Sequence, residues 1–137
     1  MALVRLLLVM AAAATPVPAA TTLRIMPPDR GVLAVGQRVD IRVEATSDTA
    51  EPPESLTVLV NGTDVTARND KSADRGAPAN SRNFLLRGYS AAAAGPLRIE
   101  ARTADGATAE VRLSVEAWQG RPAGPRAKNI ILLLGDG

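Results

Sequence analysis

Leu97-Arg98-Ile99-Glu100-Ala101-Arg102-Thr103 and Thr108-Ala109-Glu110-Val111-Arg112-Leu113-Ser114-Val115-Glu116 are two runs in which apolar and polar residues alternate, joined through Asp105-Gly106. Successive side chains of a β-strand point to opposite faces, so each run buries one face and wets the other. An Asp-Gly pair between two such runs is a strong short-range signal for a hairpin. The wet faces carry mixed charges, which reads as ordinary solvation.

The same punctuation continues upstream. Thr22-Leu23-Arg24-Ile25-Met26 alternates and is broken by Pro27-Pro28-Asp29-Arg30-Gly31. Arg38-Val39-Asp40-Ile41-Arg42-Val43-Glu44-Ala45 alternates strictly. A loop over residues 47–55 then leads to Leu56-Thr57-Val58-Leu59-Val60, closed by Asn61-Gly62, with Val65 on the return strand. Residues 69–83 are polar, bear Gly and Pro and lack a period, so they read as a surface loop. Phe84-Leu85-Leu86 and Tyr89 read as a short apolar patch. Roughly six or seven short strands in about 95 residues point to an antiparallel β-sandwich of immunoglobulin-like type. The pattern resembles small bacterial Ig-like modules, without the Cys…Trp…Cys core of antibody domains. The sandwich is expected over residues 21–117.

On the N-terminal side, residues 1–20 have the parts of a signal peptide. Arg5 supplies the positive charge, Leu6 to Ala14 the apolar stretch, and Thr15-Pro16-Val17-Pro18-Ala19-Ala20 a helix break with small residues for cleavage. The apolar stretch is about half the ~20 residues that span a bilayer. The expectation is export to the periplasm or beyond, with no membrane span after cleavage.

On the C-terminal side, residues 118–126 hold two prolines and two glycines without a period and read as a linker. Trp118 is expected to cap the sandwich or pack between domains rather than bind sugar. Residues 127–137 change character. Ile130-Ile131-Leu132-Leu133-Leu134 is continuously apolar, as in a parallel strand covered on both faces, and Gly135-Asp136-Gly137 ends it. A parallel strand needs partners and covering helices, so the chain is expected to be the front end of a longer protein whose α/β domain starts here.

Composition excludes several functions. The chain has one Phe, one Tyr, one Trp, no His and no Cys, and its 16 basic and 14 acidic residues leave a formal charge of +2. No basic stripe and few stacking partners mean that nucleic acid is not an expected partner. Without His or Cys the segment cannot by itself hold zinc through nitrogen or sulfur, and no Ser-His-Asp or Cys-His set can form. Asn61-Gly62-Thr63 matches a glycosylation acceptor but reads as a turn. Asp64, Asp70 and Asp74 lack calcium-loop spacing and read as a solvated loop.

Lys128-Asn129-Ile130-Ile131-Leu132-Leu133-Leu134-Gly135-Asp136-Gly137 resembles the first strand and metal-binding turn of the alkaline phosphatases. The resemblance covers about ten residues. It implies a secreted, metal-dependent phosphomonoesterase working through a phosphoserine, with Asp136 bridging magnesium and one of two zinc ions. It further implies phosphate monoester substrates, a nucleophile and remaining ligands beyond residue 137, and an inactive 137-residue chain. A carboxylate suits such a cluster, since paired metals stabilise the attacking and leaving oxygens of an in-line displacement. Two alternatives stand beside it: a phosphodiesterase or sulfatase of the same superfamily, and a non-catalytic exported Ig-like binding module. The Ig-like part is expected to support a neighbouring domain, mediate a homodimer or touch the cell surface.

Overall fold

The computed structural model describes residues 20–117. The expected leader, linker and α/β strand, with Asp136 and Trp118, lie outside the described residues. Within them the chain is all-β: β1 (Thr21–Met26), β2 (Val32–Ala34), β3 (Arg38–Ser47), β4 (Leu56–Val60), β5 (Thr63–Asp64), β6 (Ser81–Ser90), β7 (Gly95–Thr103) and β8 (Thr108–Glu116). Two short 3-10 turns, Thr66–Arg68 and Lys71–Asp74, separate β5 from β6.

The strands form a three-stranded sheet, β1-β3-β6, and a five-stranded sheet, β2-β8-β7-β4-β5. Every pairing is antiparallel except β2 with β8. One apolar cluster joins the sheets. The first contributes Ile25, Ile41, Val43, Phe84 and Leu86; the second contributes Val58, Leu97, Ile99, Val111 and Leu113. This is the layering of an Ig or fibronectin III-like sandwich, built by residues that alternate in and out along each strand. Phe84 is the largest fully buried side chain. Around it the core is aliphatic, as the scarcity of aromatics requires.

Both expected hairpins form. Asn61 (φ 48°) and Gly62 (φ 78°) are left-handed, which suits a two-residue turn between twisted strands. The return strand is only Thr63–Asp64, with buried Val65 donating its N–H to the Val58 carbonyl at 3.0 Å. Between β7 and β8, the Thr103 N–H donates to the Ala107 carbonyl (3.0 Å) and the Gly106 N–H to the Thr103 carbonyl (3.1 Å).

Two features differ from the expectation. The first is β2, which no alternation announces because three residues are too few to show one. The chain leaves the three-stranded sheet at Met26 and crosses to the other within residues 27–31. There Asp29 Oδ1 accepts from the Arg112 N–H (2.8 Å), Arg30 donates to the Arg112 carbonyl (2.8 Å) and Gly31 accepts from the Ser114 N–H (3.0 Å). A Cβ on Gly31 would lie 2.7 Å from Leu113 Cδ2, so a larger residue here would have to displace that methyl.

The second is β6, a ten-residue strand where a loop end and an apolar patch were expected. Asn83, Phe84, Leu85 and Leu86 are buried in succession. Register explains this. Phe84 lies opposite Val43 and Leu86 opposite Ile41, on the inner face, whereas Asn83 and Leu85 lie opposite Glu44 and Arg42 on the outer face. Residues 69–75 cover that outer face and the free edge. The Leu85 N–H donates to Asn69 Oδ1 (2.8 Å), the Asp70 N–H to the Leu85 carbonyl (2.8 Å), and Asn69 Nδ2 to the Asn83 carbonyl (3.2 Å). Asp74 Oδ1 accepts from the Asn83 N–H at 3.2 Å, and Ala73 is buried against the strand. A strand covered on both faces loses its period-two signature.

The chain enters and leaves at opposite poles. Thr21 Oγ1 donates to Asp105 Oδ2 at 2.6 Å, placing the start of β1 beside the β7–β8 turn. β8 runs away from that turn for nine residues, about 30 Å.

Candidate functional site

The outer face of the five-stranded sheet carries a charge array. β7 places Arg98, Glu100 and Arg102 outward, and β8 places Thr108, Glu110 and Arg112 outward. Register sets Arg98 opposite Arg112 and Glu100 opposite Glu110. Like charges directly across a pair of strands repel. Ion pairs along and diagonal to the strands offset this. Arg98 Nη2 lies 2.7 Å from Glu110 Oε2 and 3.2 Å from Glu100 Oε2; Arg102 Nη2 lies 3.0 Å from Glu100 Oε2; and Arg112 Nε bonds Glu110 Oε1.

The two signs differ in exposure. The Arg98, Arg102 and Arg112 side chains are 49%, 58% and 75% exposed, whereas those of Glu100 and Glu110 are 10% and 29% exposed. Glu100 lies beside Leu59 of β4, its partner in register, and under two guanidinium groups. Hydrogen bonds from Arg112 and then Arg98 hold the Glu110 carboxyl below the usual carboxylate range, so it remains an anion. A molecule approaching this face meets guanidinium edges first. A guanidinium offers several N–H donors in a planar fork, and those not used by the glutamates can take a carboxylate, sulfate or phosphate.

The other residues singled out in the sequence have structural roles. Asn61 is the turn residue, and its Oδ1 accepts from the Arg98 N–H at 2.8 Å, tying the β4–β5 turn to β7. Asp64 Oδ1 accepts from the Thr66 N–H (2.8 Å), and bonds to Thr66 lower its pKa. Asp70 caps the second 3-10 turn through the Ser72 N–H (2.9 Å) and pairs with Arg87 Nε at 2.6 Å. The Ser72 backbone bond first, then the Arg87 hydrogen bond, lower its pKa to about 2. Asp70 and Asp74 organise the cover over β6, whereas Asp64 holds the first 3-10 turn. Among the described residues no group of three or more His, Cys, Asp or Glu is arranged to hold a metal ion.

No family model matches the chain, and no curated protein matches it. Several solved structures are similar. One is the CARDB domain of the PF1109 protein from Pyrococcus furiosus, solved with two metal ions: TM-score 0.49, 16% identity, covering 77% of this chain and 100% of that one. Another is CopC from Methylosinus trichosporium OB3b: TM-score 0.44, 16% identity, covering 75% and 100%. A third is the fibronectin(III)-like modules of Clostridium thermocellum CbhA: TM-score 0.42, 19% identity, covering 70% and 46%.

These comparisons overturn the alkaline phosphatase reading. The similar structures are small β-domains, and neither they nor any family model indicates a phosphatase, another hydrolase or an enzyme. The physical reason is the brevity of the resemblance. An aliphatic run ending in Gly-Asp-Gly satisfies any buried strand that closes in a turn, so about ten residues do not specify a family. Asp136, with the zinc and magnesium that the resemblance implied for it, lies outside the described residues.

Sequence reasoning reached the wet face of β7 and β8 but not the array. Its signal was present as Arg-x-Glu-x-Arg over 98–102 and Glu-x-Arg over 110–112. Which charge meets which depends on the β7–β8 register.

Proposed function

We propose that this chain is a non-catalytic, exported Ig-like binding module whose contact surface is the arginine-topped face of β7 and β8. Its ligand is an acidic polymer of the extracytoplasmic space, of the carboxylate- or sulfate-bearing polysaccharide class. The observation that carries this is the difference in exposure on the charged face, where three arginine side chains are about half exposed or more and the two glutamates paired with them are largely covered. The leader-like residues 1–20 support export, and among the described residues no helix is long and apolar enough to cross a membrane. Nucleic acid is disfavoured because base stacking needs aromatic platforms, and the face has none.

The test is retention on an immobilised acidic polysaccharide with a salt gradient. Wild type elutes later than the double variant Arg102→Ser/Arg112→Ser, which keeps Arg98 over Glu100, and both keep the same circular dichroism. Exposed charge contacts weaken with ionic strength, so the separation narrows as salt rises. Equal elution of the double variant and wild type would refute the assignment, and so would a control Arg68→Ser/Arg75→Ser pair that shifts as far as the double variant.

A further inference from the structure

The sheets have four lateral edges, and three are blunted within the described residues. The free edge of β6 is taken by Asn69, Asp70 and Asp74. On β2, the Ala34 N–H donates to Gln37 Oε1 (2.9 Å) and its carbonyl accepts from the Gln37 N–H (3.0 Å). β5 is two residues long, and behind it the Val58 N–H donates to Thr66 Oγ1 at 2.9 Å.

The fourth edge, β1, is different. It is six residues long, contains no proline, and pairs with β3 in unbroken register. The Ser47 N–H donates to the Asn80 carbonyl and the Asp48 N–H to the Ala20 carbonyl. In β3, therefore, Thr46, Glu44 and Arg42 bond towards β1, through their partners Thr22, Arg24 and Met26. That leaves the N–H and C=O groups of Thr21, Leu23 and Ile25 pointing away from the sheet, and among the described residues no hydrogen bond reaches them. A strand with such a row is a template for another strand.

We propose that β1 pairs antiparallel with β1 of a second copy across a two-fold axis at Leu23, joining the two three-stranded sheets into one. The symmetry sets Leu23 opposite Leu23 and Thr21 opposite Ile25. All three residues have outward backbone groups, so about six inter-chain hydrogen bonds close without a register defect. Charge permits the match: Arg24, the charged residue of β1, falls opposite Thr22 of the second copy, and its neighbour across its own sheet is Glu44. Leu23 is half-buried at the rim of the core, and pairing brings the two Leu23 side chains into contact on the inner face. Such edge-to-edge contact buries less than the roughly 1,000 Å² that a stable interface clears, so the dimer is weak and concentration-dependent.

The deciding perturbation is Leu23→Pro in the full chain, with Leu23→Ala as control. The Leu23 N–H faces outward, so proline removes a donor to the second copy while leaving the β1–β3 ladder intact, as edge strands tolerate. Sedimentation should show the average mass of wild type and Leu23→Ala rising towards twice the monomer with concentration, while Leu23→Pro stays monomeric. Amide exchange in the wild type provides a second readout that needs no variant: Leu23 and Ile25 should slow at least tenfold between dilute and concentrated samples. A wild type that stays monomeric at millimolar concentration overturns the proposal, as does a folded Leu23→Pro chain that associates like Leu23→Ala. Protection of both amides at the lowest concentration also overturns it, since the edge would then be covered by the chain itself.

Discussion

The covering of β6 by residues 69–75 can be broken at one side chain. Asn69 reaches the strand twice: Oδ1 accepts the Leu85 N–H at 2.8 Å and Nδ2 donates to the Asn83 carbonyl at 3.2 Å. Asn69→Ala leaves the Leu85 N–H and the Asn83 carbonyl, both on buried residues, without these partners. Leaving a buried polar group unsatisfied costs about 1–3 kcal/mol. Both groups lie at an edge that water reaches once the segment loosens, so the expected loss is at the lower end for each, about 2 kcal/mol in sum. With a urea slope of about 1.5 kcal/mol per molar, the unfolding midpoint falls by roughly 1.3 M at unchanged slope. Asn69→Asp keeps the acceptor for Leu85 and loses the donor to Asn83, so it should lose about half as much. The Leu85 amide should exchange faster in Asn69→Ala but stay protected in Asn69→Asp. A midpoint for Asn69→Ala within 0.3 M of wild type (roughly 0.5 kcal/mol at that slope) would refute the reasoning, and residues 69–75 would be a loop lying on the strand without holding it.

Two further outcomes follow from the core and the loop. Phe84 is 1% exposed and packs between the sheets, so Phe84→Ala should cost about 3–5 kcal/mol by denaturant unfolding; a loss under about 1 kcal/mol would mean that the sheets collapse into the space. Asp70 has its pKa lowered from 3.8 to about 2, so it contributes stability that is present above pH 4 and lost as pH falls from about 4 towards 2. Asp70→Asn should therefore show a shallower loss of stability than wild type across that window. Parallel pH profiles for the two would show that the Ser72 and Arg87 bonds do not favour the ionised carboxylate.

β3, β7 and β8 were legible in the sequence because each buries one face only, so residue identity alternates with orientation. The Asn61-Gly62 and Asp105-Gly106 turns were legible because few residues accept positive φ. β6 was not, since residues 69–75 fold back over its second face and erase the alternation. β2 was not, since it exists by pairing with β8 across more than 80 residues of sequence. The charged face was half legible: its residues were, its order was not.

Residue identity alone placed β3, β7 and β8, the Asn61-Gly62 and Asp105-Gly106 turns and an aliphatic core. Those properties are local, set by side-chain period and backbone sterics. Which strands are neighbours, which edges are covered and that three exposed arginines pair with two covered glutamates on one face came from the folded arrangement. Register and edge coverage arise from pairing between distant segments, and a local pattern carries no record of its partner.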